Sequence, residues 1–154
     1  MTYGNLDTGD LKYFSYEYTM QQLQEWFSDL ILKYKKWADF QYEWRKKRQA
    51  SIKELEFPFP YREGQKELAA GVYRTIARKK NLFIQAPTGV GKTISTLYPA
   101  IKAVGEGLGD KIFYLTAKTV TANVAKETLG ILCEKGYQAK SVQITAKEKL
   151  CPCE

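Results

Sequence analysis

The chain has 154 residues, 44% of them apolar, with a formal charge of +7, three cysteines and no histidine. That length allows one modest domain, or a small element joined to part of a larger one. Imidazole-based catalysis and imidazole zinc sites are excluded, three thiols cannot form a paired disulfide framework, and neither a membrane-length apolar run nor a signal-peptide order is present, so a cytoplasmic chain is expected.

The charge is unevenly placed. Residues 1–57 carry nine Lys/Arg against nine Asp/Glu, whereas residues 58–154 carry fifteen against eight. The whole excess therefore lies in the C-terminal part, as a solvated surface or as a face that meets phosphates.

From the N-terminus, "YGNLDTGDLKYFSYEY" reads as a hairpin, with Asp7–Asp10 supplying turn chemistry. A long amphipathic helix is expected to open near Thr19. Leu23, Trp26, Phe27, Leu30, Ile31, Tyr34 and Trp37 recur at three- and four-residue steps, which aligns them on one face. It ends in the basic run Arg45–Gln49, read as a solvated helix end rather than a nucleic-acid contact. "FPFP" (Phe57–Pro60) disfavours helix on both sides and sets the expected boundary between domains 1–56 and 57–154.

Beyond it the predicted order is helix, strand, loop, helix, strand, helix, strand. Leu68, Val72, Tyr73 and Ile76 mark the first helix; "NLFIQA", "KIFYLT" and "SVQIT" are short apolar strands; Val124, Leu129 and Leu132 form the stripe of the last helix. Such alternation predicts an α/β fold with a parallel sheet joined by right-handed crossovers. Cys133 falls on that last stripe and reads as a buried, inert thiol. Pro99, inside the helix after the glycine loop, is expected to serve packing.

"APTGVGKT" (Ala86, Pro87, Thr88, Gly89, Val90, Gly91, Lys92, Thr93) lies between a strand and a helix. Polyphosphate is best held by several backbone N–H groups at a helix N-terminus, and glycines let the backbone bend closely enough to present them. Lys92 then reaches the β- and γ-phosphates, and the Thr93 hydroxyl ligates Mg²⁺. This is a Walker A pattern with Ala86 in place of the usual first glycine. That substitution, the preceding "FPFPYREGQKEL" and the following "YLTAKTVTANV" together resemble superfamily 2 helicases.

The resemblance implies further roles. Gln65 occupies the position of the adenine-reading glutamine, whose amide offers the donor and acceptor that an adenine edge complements. Thr116, Lys118 and Thr119 match motif Ia, which contacts the backbone of single-stranded DNA. "KEKLC" is similar to the segment of DinG/XPD-type helicases where Cys151 would be the first thiolate of a 4Fe–4S cluster. Residues 57–154 then correspond to the start of the first RecA-like motor lobe, in which ATP, Mg²⁺ and single-stranded DNA are the ligands. Such a piece is expected to be inactive alone, lacking the Walker B acid, the other cluster ligands and the second lobe. Residues 1–56 resemble the tail of a RecB-like PD-(D/E)XK nuclease domain. Alternatives are a P-loop kinase or ATPase unrelated to DNA, and a catalytically dead nucleic-acid-binding module.

Overall fold

The computed structural model describes residues 2–117, 119–138 and 140–145. In chain order these form β1 (Thr2–Gly4), β2 (Leu11–Tyr13), α1 (Met20–Glu54), α2 (Gln65–Ala77), α3 (Lys92–Gly105) and α4 (Thr119–Glu134). Contacts divide the chain into two units, Met1–Tyr42 and Glu43–Glu154.

In the first unit the predicted hairpin is present. β1 and β2 pair antiparallel, with Thr2 opposite Tyr13 and Gly4 opposite Leu11. The turn closes through Asn5, whose side-chain oxygen accepts the Asp7 N–H at 2.9 Å while its own N–H donates to the Asp10 carbonyl at 2.9 Å. Gly9 takes a left-handed φ of 72°, which its lack of a Cβ permits. α1 opens with a reciprocal cap: the Gln22 N–H donates to Thr19 Oγ1 at 3.2 Å, and the Thr19 N–H donates to Gln22 Oε1 at 2.9 Å. The aromatic face from Leu23 to Trp37 forms as predicted, and every one of its seven members is exposed.

The second unit owes its core to helices. Ile52, in the last turn of α1, and Leu55, just past its end, pack with Ile94, Ile101 and Val104 of α3 and Leu132 of α4. Phe57, Tyr98, Leu129 and Tyr137 close over that cluster. α3 lies between α2 and α4, in contact with both. Burying a side chain such as Ile52, 1% exposed, contributes about 1.5–3 kcal/mol.

Polar groups reinforce the same seam. Lys102 Nζ donates to the carbonyls of Ile52, Lys53 and Leu55 at 2.9, 3.3 and 3.2 Å, closing the C-terminal end of α1 with a cation. Gln49 Nε2 donates to the Val104 carbonyl at 3.0 Å, and Ser51 Oγ accepts the Gln138 N–H at 3.0 Å. Arg45 and Arg48 both pair with Asp110, at 2.8 and 3.6 Å. Arg45 and Asp110 are both exposed, so these ion pairs lie on the solvated surface of the helix end.

The Tyr98 hydroxyl donates to the Leu55 carbonyl at 3.2 Å, and burial, helped by Tyr61 and Glu56, pushes its phenol up from 10.0. A raised folded value means the fold holds this proton more tightly than the unfolded chain does. The stabilisation is complete below the unfolded value and lost as pH rises through the folded one. Urea midpoints should therefore begin to fall as pH rises past the unfolded value of 10.0 and go on falling through the higher folded one, and Tyr98→Phe should flatten part of that fall. An identical alkaline slope in both proteins would contradict this.

Two expectations differ from the structure and a third, for Pro99, agrees with it. Among the described residues the only paired strands are β1 and β2, so no parallel sheet is observed. Residues 81–86, 111–116 and 141–145 carry no strand ladder, and Phe83, Leu115 and Ile144 are 95%, 88% and 89% exposed. A parallel strand gains its ladder and its burial only from neighbours and covering helices on both faces, and none of the described segments supplies these. Cys133 is exposed rather than buried, since the α4 position that turns fully inward is the adjacent Leu132. Pro99 is buried, and α3 runs on past it to Gly105, as a packing role requires.

Candidate nucleotide site

The glycine loop sits between residue 85 and α3, and its shape follows from two glycines. Gly89 and Gly91 have φ of 86° and 70°, in the region that side-chain-bearing residues rarely adopt. Gly91 is also the residue before the first turn of α3, whose opening hydrogen bond runs from the Ser95 N–H to the Gly91 carbonyl at 3.1 Å. Gly91 caps with no side chain, so the first N–H groups of α3 are left for an outside acceptor.

Lys92 and Thr93 occupy the first two positions of that helix. Lys92 is exposed, and its Nζ folds back over the loop to donate to the carbonyls of Ala86 and Pro87 at 2.9 and 2.8 Å. Thr93 is half-buried in the same turn. Ser95, fully buried, returns its hydroxyl to the Gly91 carbonyl at 3.0 Å.

Gln65 opens α2 and is 4% exposed. Its Nε2 donates to the Val90 carbonyl at 3.1 Å, and its Oε1 accepts the Arg62 N–H at 3.0 Å. A Cβ on Gly91 would lie 2.7 Å from that Nε2, so a glycine there serves both the backbone turn and the approach of the amide. The Arg62 guanidinium donates to the Gly89 carbonyl. Sequence reasoning paired Gln65 with the base and missed Arg62 altogether; the only available signal was its place three residues before Gln65.

The structure thus brings together Gln65 and the whole of Ala86–Thr93. Of the motif Ia residues, Thr116 is half-buried, Thr119 is the first residue of α4, and Lys118 lies outside the described residues. Cys151 lies outside them too. Among the described residues no group of three or more His, Cys, Asp or Glu could hold a metal. No described helix is long and apolar enough to cross a membrane.

A left-handed Gly-x-Gly bend leading into a helix with Lys and Thr in its first turn defines a P-loop nucleotide-binding protein. The sequence profile of the DEAD/DEAH box helicase family matches residues 64–150, which is more than half of the chain. The chain belongs to the DEAD/DEAH box helicase family, and with it to the superfamily 2 helicases, whose domain has a RecA-like α/β fold. It is also 51% identical over 51 residues to "Probable ATP-dependent helicase MJ0942" of Methanocaldococcus jannaschii, a match covering 32% of this chain and 8% of that protein. No solved structure matches the chain significantly.

Proposed function

We propose that residues 57–154 are the nucleotide-gripping part of the first motor lobe of an ATP-dependent DNA helicase of the DinG/XPD type. The observation that carries this is the loop Ala86–Thr93, with its two left-handed glycines and with Lys92 poised over it. Membership of a helicase family supports ATP and Mg²⁺ as its ligands.

The donor set suits them. The phosphate tail would lie against the loop amides and the first turn of α3, where backbone N–H groups and the helix dipole favour negative charge. Lys92 exchanges the carbonyls of Ala86 and Pro87 for phosphate oxygens, a charge-assisted contact in place of neutral ones. The Thr93 hydroxyl would hold Mg²⁺, which when bound would supply positive charge against the phosphate tail. Gln65 keeps one N–H and one lone pair beyond those spent on Val90 and Arg62, the complement of an adenine edge. Thr116, Lys118 and Thr119 grip the backbone of single-stranded DNA without reading its sequence.

The iron–sulfur assignment rests on Cys151 alone. Three cysteines cannot furnish the four thiolates of a 4Fe–4S centre, so the donors in this chain do not by themselves fit the cluster. Within the proposal Cys151 is one ligand of a set completed elsewhere in the intact helicase.

Calorimetric titration of the chain with Mg-ADP, followed by fluorescence anisotropy with a single-stranded oligonucleotide, tests the two halves of the reading. Nucleotide should bind, and DNA affinity should fall steeply with salt, because phosphate contacts release counterions. Binding of single strands without any nucleotide binding would favour the fuel-free module instead. Nucleotide binding with no DNA affinity at low salt would favour a P-loop kinase or ATPase.

A further inference from the structure

Two of the groups that hold the glycine loop come from outside the motif. The carbonyls of Ala86 and Pro87 are held by Lys92, that of Val90 by Gln65 and that of Gly89 by Arg62. In a trans peptide the C=O and the following N–H point in opposite directions, and no peptide in the described chain is cis. Pinning the Gly89 carbonyl therefore aims the Val90 N–H the other way, and pinning the Val90 carbonyl does the same for the Gly91 N–H. The two clamps are linked, because the Arg62 N–H itself donates to Gln65 Oε1 at 3.0 Å. The turn before α2 is thus one unit that grips two successive loop peptides.

From this geometry we infer that Arg62 is a positioning residue for phosphate binding, acting through the Gly89 peptide rather than by touching nucleotide. The bend at Gly89 needs such help. Its φ of 86° is a region glycine enters as freely as it leaves, and a Cβ there would meet nothing within 4 Å. Nothing packs against the open side of its α-carbon, and the guanidinium holds its carbonyl. With Arg62 in place the amide is already aimed before a phosphate arrives, and ordering it costs less at the moment of binding.

This inference rests on the nucleotide reading above, and the test separates the two. Arg62→Met, which keeps most of the side-chain stem, and Arg62→Lys are made in the full chain. Calorimetry then follows Mg-ADP, Mg-GDP and inorganic tripolyphosphate, the last having no base. Arg62→Met should weaken all three by a similar factor of about ten, Arg62→Lys should restore part of it, and the melting temperature should stay at the wild-type value. Unchanged affinities would overturn the assignment. So would a loss for Mg-ADP with tripolyphosphate binding intact, which would make Arg62 a base contact, or a loss accompanied by a lowered melting temperature, which would make it structural. If the wild-type chain binds none of the three ligands, the nucleotide reading itself falls and takes this inference with it.

Discussion

Lys92→Ala should lower the affinity of the chain for Mg-ADP by about 100-fold, the loss of one or two hydrogen bonds from a charged donor. The melting temperature should hardly move. Both expectations follow from the position of the side chain: it is exposed, packs into no core, and among the described residues its ammonium donates to the carbonyls of Ala86 and Pro87. Those carbonyls can be rehydrated when the ammonium is gone, so the folded state loses little. A bound polyphosphate loses its nearest cation, and water cannot replace that. Lys92→Arg is not a conservative rescue, since a planar fork cannot fold into the space of a compact ammonium. Calorimetry and thermal melting on the same samples check the pair of outcomes. A large fall in melting temperature would make Lys92 structural and remove the principal support for the phosphate site.

The second large effect concerns stability and lies outside the family-matched stretch 64–150. Ile52→Ala should cost about 2–5 kcal/mol, the range for emptying a fully buried aliphatic position. Ile52 is 1% exposed and packs in one cluster with Ile94, Ile101, Val104 and Leu132. Gly105→Ala tests the same contact from the other side. The new Cβ would lie 2.3 Å from Ile52 Cγ2, a branch at the β-carbon that cannot swing clear, and 3.2 Å from its Cβ. Alone, Gly105→Ala should cost about 1–3 kcal/mol through overpacking. In the Ile52→Ala background the offending methyl is gone and only the 3.2 Å approach to Cβ remains, so the same change should cost clearly less. Urea unfolding of the four proteins gives the coupling directly. Strict additivity would mean that α1 and α3 do not meet as described. Because α3 begins at Lys92, this seam also fixes the element on which the phosphate site is built.

Local chemistry made much of this legible from sequence. The turn at Asn5–Asp10, the long helix with its Thr19 cap, the helices α2 to α4 and the glycine bend each rest on short-range rules that a few residues state by themselves. What depended on distant partners was harder to read. The runs around Phe83, Phe113 and Val142 have the composition of strands buried on both faces, yet ladder pairing belongs to neighbours rather than to the run. Cys133 was placed on the core side of α4, but the helical period puts Leu132 there, and one residue is a 100° turn. Lys102 was not singled out in the sequence; its role at the end of α1 depends on a contact 50 positions away. The candidate site divides the same way. Its motif was visible at once, while Arg62 emerged only through its contact with the Gly89 carbonyl, 27 positions away.

The central claim is that the backbone from Thr88 to Thr93 receives the phosphates of a nucleotide. Amide chemical shifts of the nitrogen-15-labelled chain, followed while Mg-ADP is added, test it most directly. The account predicts saturable shifts concentrated at Gly89, Val90, Gly91, Lys92 and Thr93, with the β1–β2 hairpin unaffected. Amides in that loop that stay unshifted at saturating millimolar nucleotide, or shifts scattered over the surface, would contradict it.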